Sequence, residues 1–345
     1  MPAGIVTLAF GEPTAPDRDI VVEYLTRIFL ANADLEEATD PQERARELAE
    51  RRAPGLVEEY EEIGGSPLNE QAEARREALE QELSSRGQEA IVYLGMQFME
   101  PLIPDVASQL AAAEVDPVVG IPVYPLCGPS TTVQALDDLE AAIEKIDGYD
   151  PTVRAVTGWH RHPSYTGMRA AAIRETATEA GVDLREPETA LVFSAHGTPT
   201  SYVEAGSRYV EYVEEYCETV AALLGVEEYH LGYQNHANRG VEWTQPDVEA
   251  VIEGLEAERV VVDPTSFVHE QSETLAELDH DLRADAVAND LAFHRVPVPH
   301  DDQRIVSLLA DLAIPFLAGF DPTARSLRPC ECRPEAGTYC LNAGR

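Results

Sequence analysis

The chain nearly lacks positive charge. A single lysine, Lys145, stands among 25 basic residues set against 63 acidic ones, a formal net charge of -38 over 345 residues. With so few cations there is no basic patch to displace counterions from a phosphate backbone, which argues against direct nucleic-acid binding. Self-repulsion on this scale opposes compactness in dilute buffer, and about 1 M salt, where the Debye length falls to roughly 3 Å, screens it. The composition has a halophilic form. It also weakens any argument from an isolated carboxylate, since most of these acids must be solvated surface.

Long hydrophobic runs are missing too. The most apolar region, 115–126, is broken by Asp116, Pro117, Pro122 and Pro125, and nothing reaches membrane-spanning length. The first ten residues carry no basic segment and turn acidic at Glu12, so they read as a first strand and not a signal peptide. A cytoplasmic protein is expected, with peripheral membrane contact left open. Cysteine is scarce. Five in a chain of this size argue against a disulfide scaffold; Cys127 and Cys217 stand alone, while Cys330, Cys332 and Cys340 crowd the end.

What is present is 44% apolar residues in an alternating pattern. Strand-like runs at 4–10, 90–95, 118–124 and 153–158, and again at 189–194, 229–233, 259–262 and 292–296, are separated by amphipathic segments. These predict helices at 18–31, 41–52, 70–86, 102–113, 132–146, 163–180, 202–224, 246–255, 273–286 and 302–318. Strand then helix, four times in each half, predicts an α/β protein of two doubly wound, Rossmann-like lobes with parallel four-stranded sheets. The lobes are expected at 1–160 and 161–320, packed closely, with a Cys-containing tail at 321–345. From 329 onward the tail has too little apolar content to fold alone, so a metal site is expected to order it.

In open α/β sheets, ligands bind beyond the carboxyl ends of the strands. Thr189 to Phe193 form an apolar run that passes through Ser194 and Ala195 into His196 and Gly197. His196 is either a turn residue bonding backbone or a group facing a crevice. A second strand, 259–262, opens into a loop and helix in which Glu270, Glu273 and Glu277 fall at i, i+3 and i+7. In so acidic a chain that stripe reads readily as solvated surface. Its position at the same rim as His196 supports a second reading, a histidine and carboxylates facing each other across a cleft, able to bind a divalent metal and accept protons.

These residues resemble the ferrochelatase family. The resemblance is carried by Leu191 to His196, Gly197, Thr198 and Pro199, with Gly206 and Tyr209; by Phe267, Glu273, Thr274, Leu275, Glu277 and Asp279; and by Ile63 to Leu68. Tyr93 and Gly95 with Pro101 and Leu102, and Tyr124 and Pro125 before Ser130 to Thr132, continue it. The resemblance implies a two-lobed chelatase that inserts Fe²⁺, as substrate, into protoporphyrin IX or coproporphyrin III in haem biosynthesis. It implies His196 and Glu273 as catalytic groups, and His196, Glu273 and Glu277 as metal contacts. Phe10 and Trp243 are candidates either for lining the macrocycle or for the core. A cobalt or nickel chelatase of a sirohydrochlorin-type ring, and a non-catalytic two-lobed haem- or metal-binding protein, are the alternatives. Paired His196 and Glu273 favour catalysis.

Several positions depart from the family pattern. His269, Glu270 and Gln271 stand where Ser-Asp-His is common, so Gln271 replaces the family's loop histidine and is expected to tolerate change. Gln97 stands where many relatives have arginine. Ala9, Phe10 and Glu12 replace parts of the Asn-Met-Gly-Gly-Pro first loop, of which Gly11 and Pro13 remain. Some relatives hold a 2Fe-2S cluster on three C-terminal cysteines and one from the loop after Tyr-Pro. By that resemblance Cys127, Cys330, Cys332 and Cys340 are the candidate ligands, with zinc or free thiols as alternatives. Cys217 falls on an apolar helix stripe and reads as core.

Overall fold

The computed structural model describes residues 1–33, 39–235, 241–317 and 327–341. The first lobe runs β1 (Ala3–Ala9), α1 (Arg18–Ala31), α2 (Pro41–Ile63), α3 (Leu68–Ser85), β2 (Ala90–Met96), α4 (Ile103–Ala112) and β3 (Val118–Pro122). A π-helical turn (Pro129–Val133), α5 (Gln134–Glu144) and β4 (Val153–Thr157) complete it. The second runs α6 (Pro163–Ala180), β5 (Thr189–His196), α7 (Thr200–Glu204), α8 (Tyr209–Leu224), β6 (His230–Gln234), α9 (Val248–Glu253) and β7 (Arg259–Pro264). A π-helix (Glu273–Leu282), α10 (Arg283–Ala288), β8 (Ala292–Arg295) and α11 (Gln303–Leu317) follow.

Both halves have the expected four parallel strands, ordered β2-β1-β3-β4 and β6-β5-β7-β8. The first sheet is larger than expected. Two short tail strands extend it to six: β10 (Thr338–Cys340) pairs parallel with β4, and β9 (Arg328–Pro329) pairs antiparallel with β10.

Local chemistry accounts for the ends of the first two helices. Asp17 and Asp40 cap α1 and α2 by accepting from the first backbone N–H groups, and Gly64, at φ +76°, ends α2 in the left-handed conformation. α2 runs through Pro54 and so outlasts the expected end at 52. Ala49, Ala53, Leu56 and Tyr60 keep one face buried against α1, and that packing outweighs a proline penalty of about 3 kcal/mol. The helix expected over 202–224 is instead two, α7 and α8, broken at Gly206, whose φ is +101°.

One apolar core joins the lobes, including Ile5, Val119, Phe193, Val261 and Leu309. α11 packs on α3 and α6. At the end of β7, the fully buried Asp263 is paired with Arg169 of α6 and accepts a 3.0 Å hydrogen bond from Tyr216 Oη. This holds the strand end from which the glutamate-bearing loop departs.

Candidate active site and thiol site

His196 closes β5, and its backbone is tied down on both sides. Its N–H donates to Ser266 Oγ at 3.0 Å, and its carbonyl accepts from Tyr209 Oη at 3.0 Å. Gly197 must be glycine because a Cβ there would sit 1.7 Å from Asn235 Oδ1 and 2.9 Å from the Gln234 carbonyl. The ring's Nδ1 lies 2.5 Å from the Gly197 carbonyl, an acceptor that keeps Nδ1 protonated and leaves Nε2 to face Glu273.

Glu273 meets that nitrogen directly, with Oε1 3.0 Å from His196 Nε2. The expectation that histidine and carboxylates face each other across a cleft is therefore corrected. β5 and β7 are neighbours in one sheet, so the two groups stand side by side on the rim of the same lobe. The other oxygen, Glu273 Oε2, accepts from Gln271 Nε2 at 2.6 Å. Gln271 thus orients the glutamate, a contact that its expected tolerance to change did not foresee.

The helix that follows is π-helical, and Glu270 lies outside it, bound to Arg295 at 3.1 Å and to Thr274 Oγ1 at 2.7 Å. The anticipated three-residue stripe is really the pair Glu273 and Glu277. Gln234, opposite His196 in register, binds both: its Nε2 donates to the Glu273 carbonyl and to Glu277 Oε2, each at 2.9 Å. Ser194 Oγ donates to Gln234 Oε1 at 3.0 Å and fixes the amide's orientation.

The loop between β7 and the π-helix is gripped from the first lobe. Arg75 of α3, 4% exposed, donates to His269 Nε2 at 2.7 Å and to the carbonyls of Val268, Pro299 and His300 at 2.9–3.2 Å. Burial, then the Arg75 charge, holds His269 well below the usual imidazole range, so it is neutral and its Nε2 is committed to this contact. Gln71 Oε1 accepts from Glu270 N at 2.9 Å. Arg75→Ala would strand three carbonyls, and we expect it to lower unfolding stability by about 2–5 kcal/mol in denaturant titration. A loss under about 0.5 kcal/mol, the scale of an ordinary surface change, would discard the clamp.

Electrostatics set the pair apart. Burial alone lowers the His196 imidazole, but the Glu273 charge and hydrogen bond overcome it and raise it to about 9. Glu277 is pushed up to about 8 by burial, with the Glu273 charge adding to it. A rim histidine sharing its proton with one carboxylate, beside a second that holds its proton readily, can take up a divalent cation or accept further protons only after that proton is released.

The thiols converge. Cys127, in the loop after β3, lies with Cys330 and Cys332 so that all three sulfurs are within 4.8 Å of one another, and Cys340 lies against Cys330. Thr157 Oγ1 donates to Cys330 Sγ at 3.0 Å, and Cys332 Sγ lies 3.5 Å from Tyr212 Oη. Cys217 is fully buried in the core. The tail has anchors besides the metal site expected to order it: β10 pairs with β4, and the 3% exposed Arg333 binds Asp137, Glu140 and Thr338 at 2.5–2.7 Å. Of the predicted tail, 321–326 and 342–345 lie outside the described residues.

The ferrochelatase family profile matches residues 2–315. The chain belongs to the ferrochelatase family. The ferrochelatase of Nostoc punctiforme is 35% identical over 280 residues, covering 78% of this chain and 71% of that protein. That of Synechococcus elongatus is 36% identical over 270 residues, covering 74% and 67%. The solved structure of CbiX, the terminal enzyme for biosynthesis of siroheme in denitrifying bacteria, shares the fold at TM-score 0.50 and 16% identity, over 90% of this chain and 96% of that one. This chain is therefore an enzyme that inserts ferrous iron into a porphyrin in haem biosynthesis.

Within this ferrochelatase, the departures from the family pattern acquire partners. Gln97 accepts from Tyr124 Oη at 3.3 Å. Phe10 packs in an aromatic group with Phe98 and Tyr24, at 4.6 and 6.4 Å between centroids, while Trp243 lies on the segment bridged to Pro199, just beyond His196. Sequence reasoning missed Gln234, Ser272, Arg75 and the positioning part of Gln271. Only Gln234 carried a usable signal, its place just past the strand expected at 229–233.

Proposed function

We propose that His196, Glu273 and Glu277 form the face of this ferrochelatase that receives ferrous iron and removes the two pyrrole protons. The 3.0 Å contact between His196 Nε2 and Glu273 Oε1 carries this reading. Metal insertion needs a ligand that can hold iron while it sheds water and an acceptor for protons leaving the ring; once the proton shared by His196 and Glu273 has left, the imidazole beside two carboxylates supplies both. Gln271 and Gln234 keep the glutamates aimed at the histidine. In an anaerobic assay with Fe²⁺ and porphyrin in high salt, Glu273→Gln is expected to retain porphyrin binding and lose turnover; wild-type turnover in that variant would remove Glu273 from the chemistry.

We further propose that Cys127, Cys330, Cys332 and Cys340 hold a 2Fe-2S cluster. The donor set fits: three sulfurs share a space of ligand size, a fourth adjoins them, and a hydroxyl lies near two of them. Bound there, the cluster supplies a one-electron redox centre. The five cysteines are all free, which supports a reducing, cytoplasmic setting. Among the described residues no helix is long and apolar enough to cross a membrane.

The net charge of -38 supports a halophilic protein. Raising KCl from about 0.1 M to about 2 M is expected to lift the thermal midpoint by on the order of 10 °C, as screening removes surface repulsion. A midpoint that stays flat or falls in calorimetry would reject that reading.

A further inference from the structure

Glu12 is a buried carboxylate with no part in the chemistry proposed above. It lies in the loop after β1 and is 3% exposed. Both oxygens reach one residue of the other lobe, Oε2 accepting from Ser272 N at 3.1 Å and Oε1 from Ser272 Oγ at 2.6 Å, and the Ser66 side chain of its own lobe adds a further hydrogen bond. Its own backbone is bracketed by Asn69, whose Oδ1 accepts from Glu12 N at 3.0 Å and whose Nδ2 donates to the Glu12 carbonyl at 2.8 Å. The carboxylate is thus held before it makes its contact. Burying it is costly, and the nearby Glu273 charge repels it as well.

Ser272 immediately precedes Glu273, the first residue of the π-helix, where backbone N–H groups lack intrahelical partners. We infer that Glu12 is a positioning residue: it caps this helix from the opposite lobe and so fixes the Ser272–Glu273 peptide that holds Glu273 Oε1 against His196 Nε2. The His196–Glu273 pair sits within one lobe, but its geometry is set by the approach of the other. Separation of the lobes releases the cap, and the pair loses its register. Arg75 grips the same loop farther upstream, at His269, and leaves the orientation of the helix start to Glu12.

The inference rests on Glu273 acting in insertion, and the experiment separates the two ideas. Steady-state insertion of Fe²⁺ is measured anaerobically in high salt for the full chain and for Glu12→Ala, Glu12→Gln, Ser272→Ala, the Glu12→Ala/Ser272→Ala double variant and Glu273→Gln, with thermal midpoints alongside. Misplacement of the catalytic group predicts that Glu12→Ala lowers kcat by about 10–100-fold while KM for porphyrin changes little. Glu12→Gln, which keeps one oxygen for Ser272 N, should recover part of that loss and serves as the test if Glu12→Ala does not fold. The double variant should be no worse than Glu12→Ala alone, because the two residues make one contact. Unchanged kcat in a folded Glu12→Ala protein, a Glu12→Gln protein as impaired as Glu12→Ala, or multiplying losses in the double variant would overturn the inference. If Glu273→Gln also turns over normally, the site reading has failed; if Glu273→Gln is inactive and the Glu12 variants are normal, only the positioning role has.

Discussion

His196→Ala is expected to lower kcat for iron insertion by about 10²–10⁴-fold, the range for loss of a positioned acid–base group. Porphyrin binding should survive, because a large apolar ring is held mainly by contact area and not by one imidazole. The fold should survive as well. The His196 side chain is 32% exposed, and the bonds that shape its turn are made by its backbone with Ser266 and Tyr209, which alanine preserves. The check is a pair of measurements on one preparation: porphyrin fluorescence quenching for binding and anaerobic insertion kinetics for turnover. Near-native turnover would remove His196 from the mechanism, and loss of binding would mean that it holds the ring.

Cys127→Ser is expected to abolish the visible absorption of protein purified without oxygen as completely as Cys332→Ser does. Both residues belong to one group of sulfurs although the chain separates them by about two hundred positions. In this reading all four sulfurs are ligands, and a centre left one thiolate short is expected to be lost during purification, and its colour with it. The tail should nevertheless stay docked in the colourless variant, because Arg333 and the β10–β4 pairing remain. Limited proteolysis resolves this point: cleavage of the tail in Cys127→Ser protein at the rate of an unfolded segment would show that metal is its main anchor. Stoichiometric zinc and no colour in the wild-type protein would reject the cluster and leave a tetrahedral zinc site.

Much of the architecture was legible in order along the chain. The apolar strands and the helices between them depend on side-chain period, which is local, and both sheets have their four expected parallel strands. His196 was legible because a strand's carboxyl end points to the ligand-binding rim wherever the sheet is doubly wound. The acidic stripe was read with the wrong period. Spacing by 3.6 residues joined Glu270 to Glu273, whereas the chain is not helical until Glu273 and then runs as a π-helix, so Glu270 turns to Arg295. Hydrophobic patterning carries no mark of that wider winding.

By itself the sequence pointed to the two-lobed α/β fold, the family, and His196, Glu273 and four cysteines as candidates, since strand period, turn chemistry and motif residues are properties of short segments. Only the tertiary structure decided that His196 and Glu273 touch within one lobe, that Gln234 joins Glu277 to them, and that the tail adds strands to the first sheet. It alone decided that Arg75 and Glu12 reach His269 and Ser272 across 194 and 260 positions. The physical reason is range. A helix or strand follows from neighbours a few residues away, whereas a buried cation or carboxylate is tolerable only beside particular partners, and which partners arrive is settled when the lobes close on a common core.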